Sequence, residues 1–400
     1  MIKRSGSQNQ AREEKNIGLY VHWPFCLSKC PYCDFNSHVV GSVDHGEWRE
    51  GLLRELAYYA DLTPDRRLSS IFFGGGTPSL MQPSTAGALI NSALQHWETD
   101  QTLEITLEAN PGTVDITRFA AFQAAGVTRM SVGVQSLDED DLVFLGRKHS
   151  AQDAVTAVKL AGQIFESVSI DLIYALPGQS VAKWKSNLDA ALSLSYDVGC
   201  AHLSAYQLTI EPNTPFHTAH AASKLHMPND GHSASLYELT QTVCNSAGLP
   251  GYEISNHAAP GRECRHNMTY WRGGDYAGIG PGAHGRISVD GSVHAIRQIK
   301  APGIWLKRVF RKGHGTLEDI VLSQQERVEE LLLMGSRLTE GLNKARFYQH
   351  AGLALDAAVN KESLETLIAQ GFIQNTPEVL RVTSRGRLTL NTIIAALVPD

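Results

Sequence analysis

The sequence predicts an α/β protein: a parallel sheet built from strand–helix repeats, followed by a small α-rich, winged-helix-like unit. Two patterns carry this. Before residue 210, six short β-rich runs alternate with longer segments of helical spacing, the pattern of βαβ crossovers. Composition then changes after about residue 250, and beyond Thr316 short helical stretches predominate. A partial barrel and a doubly wound sheet share the first pattern, and the period alone does not choose between them.

The expected strands are Ile17–His22, Ser70–Phe73, Leu103–Glu108, Arg129–Val134, Val168–Tyr174 and His202–Leu208. Between them, Gly46–Ala60 places Trp48, Leu52, Leu53 and Leu56 on one helical face. Ala151–Phe165 does so with Val155, Val158 and Leu160, and Val181–Leu194 with Trp184, Leu188 and Leu192. Chemistry belongs at the strand C-termini in either fold. Small and polar residues gather there: Pro24-Phe25-Cys26, Gly74–Pro78, Glu108–Pro111, Gln135-Ser136, Pro177-Gly178 and Tyr206-Gln207. The glycine-rich stretch 272–291 reads as irregular backbone with little helix. Gln325–Leu338 and Lys361–Gln370 read as helices, Phe372-Ile373 and Leu380–Val382 as a strand pair, and Asn391–Leu397 as an apolar closing segment. The expected division is residues 1–16 as a flexible N-terminal segment, 17–295 as the main unit, 296–315 as a basic linker and 316–400 as the C-terminal unit.

At 42% apolar and 19% charged residues, a chain of 400 residues can bury a large core, which excludes global disorder. A net charge of −6 argues against nucleic acid as the partner of the whole chain. The C-terminal unit carries eight Lys/Arg against eleven Asp/Glu, a net of −3, so it too is a poor phosphate binder. No apolar stretch approaches a bilayer span, and the polar opening residues lack a signal peptide's apolar segment. The expected compartment is the cytosol. Six cysteines are too sparse for a disulfide scaffold, yet three of them fall within eight positions.

Those three form Cys26-x3-Cys30-x2-Cys33, directly after the first strand. Three thiolates on one loop can converge on an inorganic centre. With His22 or His38 as a fourth ligand, they would make a structural zinc site. On a [4Fe–4S] cluster they would leave one iron open to a small molecule. This spacing, closed by Phe35 and joined by Gly74-Gly75-Gly76-Thr77-Pro78, resembles the radical S-adenosylmethionine (SAM) superfamily. The resemblance implies a partial parallel (β/α)6 barrel. It also implies a [4Fe–4S] cluster on Cys26, Cys30 and Cys33, with SAM chelating the open iron.

Further stretches extend the likeness: Tyr20–Cys26, Glu108–Pro111, Val132–Ser136, Gly146-Arg147, Asp171–Gly178 and Leu203–Tyr206. They resemble the oxygen-independent coproporphyrinogen III oxidase group. By that resemblance Tyr20, Tyr32, Gly75, Gly76, Thr77, Glu108, Gln135, Arg147 and Asp171 contact SAM. The residue types suit the task. Glu108 and Asp171 can accept from hydroxyls or an amine, and Arg147 can grip a carboxylate with two parallel N–H groups.

Two features separate this chain from the oxidases. They carry a further cysteine where Phe35 stands, and a longer segment before the cluster. Both departures resemble the HemW-type haem chaperones instead. His266-Asn267-Met268-Thr269-Tyr270-Trp271 resembles the H-N-x-x-Y-W signature of that family, which is associated with haem binding. A neutral imidazole at His266 can ligate haem iron, and Tyr270 and Trp271 offer flat apolar contacts. The resemblance implies delivery of haem to haem-requiring respiratory proteins. Its alternatives are oxidative decarboxylation of coproporphyrinogen III, or a radical-SAM oxidoreductase or methyltransferase of another substrate. Trp305, Leu306, Val309 and Phe310 form an apolar stripe beside Lys307, Arg308, Arg311 and Lys312. This stretch suits an interdomain helix, a peripheral contact with an anionic membrane, haem propionates or an acidic partner.

Overall fold

A computed structural model describes residues 15–399. The expected flexible segment 1–16 therefore lies, but for its last two residues, outside the described residues. All six expected strands form: β1 (Asn16–Trp23), β2 (Arg67–Gly75), β3 (Glu98–Ala109), β4 (Arg129–Gln135), β5 (Ser167–Tyr174) and β6 (His202–Gln207). They lie side by side in chain order, every neighbouring pair parallel. Helices α1 (His45–Leu62), α2 (Pro83–His96), α3 (Ile116–Ala124), α4 (Glu139–Phe144), α5 (Ala151–Ile164) and α6 (Val181–Asp197) make the crossovers. This is the partial (β/α)6 barrel; the doubly wound alternative requires a strand order that reverses.

Strand alternation divides each strand between two environments. Leu19, Val21, Ile71, Phe73, Leu107, Val132 and Leu172 face the helices and pack with Trp48, Leu52, Leu56, Val158, Trp184 and Leu188. The alternate residues, Gly18, Tyr20, Phe72, Glu108, Ser131, Asp171 and Ser204, face the barrel interior. Most of the helices carry a side-chain N-cap. Ser150 and Asp153 form a reciprocal capping box on α5, and Ser180 caps α6.

The sheet continues past the barrel to eleven strands. Beyond β6, α7 (Pro215–Ala221) and α8 (Asp230–Ser246) lead to β7 (Asn256–Ala258), antiparallel to β6. After α9 (Arg265–Trp271), β8 (Asp275–Ile279) runs parallel to β1, and β9 (His284–Val289) and β10 (Ser292–Gln298) follow antiparallel. The expectation of irregular backbone over 272–291 is thus corrected in part: Gly278 and Gly285 lie within β8 and β9 and the other glycines in the connections, while the stretch holds no helix, as expected. A Cβ on Gly278 would fall 1.9 Å from the His284 carbonyl oxygen, so glycine is what lets β8 and β9 close.

The expected basic linker, 296–315, is also corrected. Its first residues complete β10. The rest is α10 (Pro302–Lys312), whose Trp305, Leu306 and Val309 are buried in the main core against α1. The apolar stripe is used up in packing, which removes the basis for a membrane contact through this helix. Thr316–Val321, expected in the C-terminal unit, is β11, the outermost strand of the large sheet.

The C-terminal unit has its own core, from Val328 to Leu397. It comprises α11 (Gln324–Gly335), β12 (Leu342–Asn343), α12 (Lys344–Ala351), α13 (Leu355–Ala358), α14 (Lys361–Ala369), β13 (Ile373–Asn375), β14 (Val379–Val382), α15 (Ser384–Arg387) and α16 (Leu390–Leu397). Its sheet, in the order β12-β14-β13, is antiparallel, in keeping with the winged-helix-like expectation. Arg272–Glu340 and Arg286–Glu330 ion pairs join it to the barrel at 2.8 and 2.7 Å.

Candidate cluster and cofactor site

Cys26, Cys30 and Cys33 lie on the loop that leaves β1 over the barrel's C-terminal mouth. The loop is tied at several points. Phe25-Cys26 pairs with His38-Val39. Asn36 donates through Nδ2 to the Pro281 and Lys300 carbonyls, at 2.7 and 2.9 Å. His22 Nε2 donates to the Asn36 carbonyl at 2.9 Å, which leaves Nδ1 to accept from Tyr20 OH at 3.1 Å. Burial holds His22 neutral, its pKa lowered to about 4. With both nitrogens engaged, His22 has none for zinc, and His38 is bonded to Asn36 Oδ1 at 3.1 Å. Among the described residues no trio of His, Cys, Asp and Glu draws together as a single ion requires. A cluster makes a different demand, since each thiolate binds its own iron.

The Gly75–Thr77 turn is laced to this loop. Gly76 N–H donates to the Trp23 carbonyl (2.7 Å), Thr77 N–H to that of Phe25 (2.9 Å), and Thr77 Oγ1 to Cys26 Sγ (3.3 Å). A Cβ on Gly76 would sit 2.9 Å from both carbonyl oxygens. Gly75, at φ +109°, takes a backbone conformation that favours glycine.

Arg147 joins the loop to the opposite rim. Its Nη1 reaches Tyr32 OH (3.4 Å) and Cys30 Sγ (3.6 Å), and Nη2 donates to the Gly133 carbonyl (3.1 Å). Its Nε is buried without a partner. Gly146 brings it there by pressing close on Pro31, to which a Cβ would come within 2.7 Å. Gln135, at φ +68°, folds its amide back over Gly133 toward Arg147.

Inside the mouth, buried Glu108 lies under the influence of Asp171. Burial, then Asp171, raises the Glu108 pKa to about 8, opposed by the Gly75 N–H that Glu108 accepts. Burial raises Asp171, while Ser131, Ser204, Arg129 and Ser169 favour its ionised form. Ser131 Oγ donates to Asp171 Oδ2 at 2.7 Å. The structure therefore brings together the cysteines, Tyr20, Tyr32, Gly75, Gly76, Thr77, Glu108, Gln135, Arg147 and Asp171 around one mouth.

The H-N-x-x-Y-W segment is α9, which packs against β1, β2 and β8 from the barrel side. His266 is 1% exposed. Its ring stacks on Phe72 (centroids 5.2 Å) and Tyr20 (6.2 Å) and meets the edge of Tyr270 (4.7 Å). Nδ1 bonds Ser70 Oγ at 2.8 Å, and Nε2 is buried without a protein partner. Burial lowers its pKa to about 3, so the ring is neutral. Trp271 departs from expectation: it faces the C-terminal unit, with Arg337 over its ring at 5.9 Å. Ser70 and Phe72 were not among the expected site residues, although strand alternation from Gly74 puts them on the inner face. On α9's other side a cleft of about 950 Å³ runs between Met268, Tyr252 and the C-terminal unit's Asn343 and His350.

This arrangement fits the comparisons with known proteins. Residues 20–191 match the model of the Radical SAM superfamily, and 322–389 that of the HemN C-terminal domain. The chain is 37% identical to the Heme chaperone HemW of Escherichia coli, covering 96% of this chain and 98% of that protein. It belongs to the HemW family of radical SAM proteins. It is also 38% identical to the bovine Radical S-adenosyl methionine domain-containing protein 1, mitochondrial, covering 98% of this chain and 90% of that protein. In fold it is similar to coproporphyrinogen III oxidase (HemN) from Escherichia coli: TM-score 0.79 at 22% identity, covering 97% of this chain and 92% of that one. Among the described residues no helix is long and apolar enough to cross a membrane.

Proposed function

We propose that this protein is a haem chaperone that carries a [4Fe–4S] cluster and SAM and passes haem to haem-requiring respiratory proteins. Cys26, Cys30 and Cys33 hold the cluster. Tyr20, Tyr32, Gly75, Gly76, Thr77, Glu108, Gln135, Arg147 and Asp171 hold SAM. The donor sets suit both groups: three thiols on one anchored loop, a turn with no room for a Cβ, and a buried Arg147 Nε lacking a partner. Bound there, cluster and SAM supply one-electron chemistry.

One observation carries the haem assignment. His266 is neutral and ring-stacked, and its Nε2 is buried with no protein partner. A buried polar atom without a partner is costly, and a ligand relieves that cost. With the proton on Nδ1 toward Ser70, Nε2 presents the lone pair that iron requires. Tyr270 flanks it; Trp271 secures α9 to the C-terminal unit.

The test is an anaerobic haem titration of cluster-reconstituted protein, followed at the Soret band. Saturable, near-stoichiometric binding is expected, and His266→Ala should weaken it or change the spectrum. An unchanged affinity and spectrum in that variant would remove His266 as ligand. Absence of saturable binding in the native protein, with product formed from coproporphyrinogen III under reducing conditions, would select the oxidase instead.

A further inference from the structure

A continuous hydrogen-bond chain crosses the barrel floor from the SAM-facing acid to the helix that carries His266. Ser169 Oγ donates to Asp171 Oδ1 at 3.3 Å. Ser169 Oγ also bonds His202 Nδ1 at 2.7 Å. His202 Nε2 bonds Tyr252 OH at 3.0 Å, and Asn267 Nδ2 donates to Tyr252 OH at 3.4 Å. Asn267 is the neighbour of His266 on α9. His202 is 2% exposed, and burial keeps it neutral.

Chemistry fixes the direction of every link. An imidazole without charge has one donor and one acceptor nitrogen. Because the Ser169 hydroxyl spends its proton on Asp171, His202 Nδ1–H must donate to Ser169 Oγ. Nε2 is then the acceptor, so Tyr252 OH donates to it and accepts from Asn267 in turn. All four donors point toward Asp171, the terminal acceptor that orders the whole chain. Tyr252 is also tied to the C-terminal unit, whose Thr339 N–H donates to its carbonyl at 2.8 Å.

We propose that His202, Tyr252 and Asn267 are positioning residues that make the seating of α9, and so haem affinity, depend on SAM at Asp171. A SAM hydroxyl or amine donating to Asp171 competes with Ser169 for the same carboxylate. The loss passes along the chain to the only link that reaches α9 by this route, Asn267. This rests on the haem-chaperone reading for its haem arm and on SAM binding alone for its other arm.

Two readouts separate them. Hydrogen exchange of the α9 peptide is measured with and without SAM on cluster-loaded protein, and haem is titrated under the same two conditions. In the native protein SAM should alter α9 exchange and shift haem Kd by about fivefold or more, whereas Tyr252→Phe should hold haem Kd near the native SAM-bound value with or without SAM, and so lose both effects. Asn267→Ala, which cuts the last link from the helix side, should do the same and serves if Tyr252→Phe folds poorly. Equal SAM effects in native and variant proteins would overturn the proposal, as would a native α9 whose exchange ignores bound SAM. Failure of haem to bind at all would sink the chaperone reading while leaving the exchange result to judge the chain.

Discussion

Arg147 is where the cysteine loop and the barrel rim meet. A lysine there would keep the charge but lose the planar fork that reaches Tyr32, Cys30 and the Gly133 carbonyl together. Hydrogen bonds to charged groups are worth about 1.5–3 kcal/mol, so Arg147→Lys should weaken SAM binding by roughly 10- to 100-fold. Equilibrium dialysis with labelled SAM measures this, alongside iron content; a Kd within twofold of native would refute the role. Residues of this kind were legible in the sequence because they sit in short motifs at strand ends. Ser70, Phe72, Ser169 and Tyr252 were not. Their meaning arises between elements, from which strand lies beside which and in what register: Gly18 beside Ser70, Tyr20 beside Phe72, Ser169 beside His202. No local pattern encodes that.

At the scale of elements, glycine decides what the two sheet ends can do. The Gly75–Thr77 turn is held to the β1 exit by two backbone hydrogen bonds, so the Trp23 and Phe25 carbonyls cannot retreat from a new Cβ. Gly76→Ala should therefore cost about 1–3 kcal/mol of stability and impair SAM binding. Gly303 is the contrast: it lies in α10 with nothing within 4 Å of an added Cβ. Gly303→Ala should be neutral or stabilise by up to about 1 kcal/mol. Denaturant titrations of both variants decide the matter, and equal effects would show that steric fit at Gly76 is not limiting. The six parallel strands were legible because helix-facing Val, Ile and Leu alternate with small or polar residues. The β8–β9 hairpin was not, because Gly278, Gly280 and Gly285 read as loop while serving close strand contact. Helix α10 was assigned to a linker because the stretch from Arg297 to Lys312 is basic with no acidic residue, although its apolar stripe also suited an interdomain helix. Trp305, stacked on Trp48 at 5.3 Å, shows where its other face goes.

Over the whole molecule, the barrel's antiparallel extension depends on one buried carboxylate. Glu55 on α1 is fully buried and accepts from Gly280 N–H beyond β8 (2.7 Å), Gly315 N–H before β11 (2.6 Å) and Trp305 Nε1 of α10 (3.0 Å). It gathers both ends of the added strands onto the helix layer. The sequence hid it, since a glutamate within an amphipathic helix ordinarily faces water. Burial raises its pKa from 4.5 to about 7, against the pull of those three donors. Between these values the folded protein keeps a proton that the unfolded chain has released. Its contribution is therefore fully present below about pH 4.5 and is lost as pH rises through 7, a change of about 3 kcal/mol. Glu55→Gln has no such proton, so the difference between the two proteins isolates this group from the buried histidines, whose lowered pKa values act in the opposite sense. Urea unfolding at pH 5 and pH 8 should show native stability falling relative to Glu55→Gln by about that amount. Parallel stability profiles would mean that Glu55 stays ionised throughout, and that its three donors outweigh its burial.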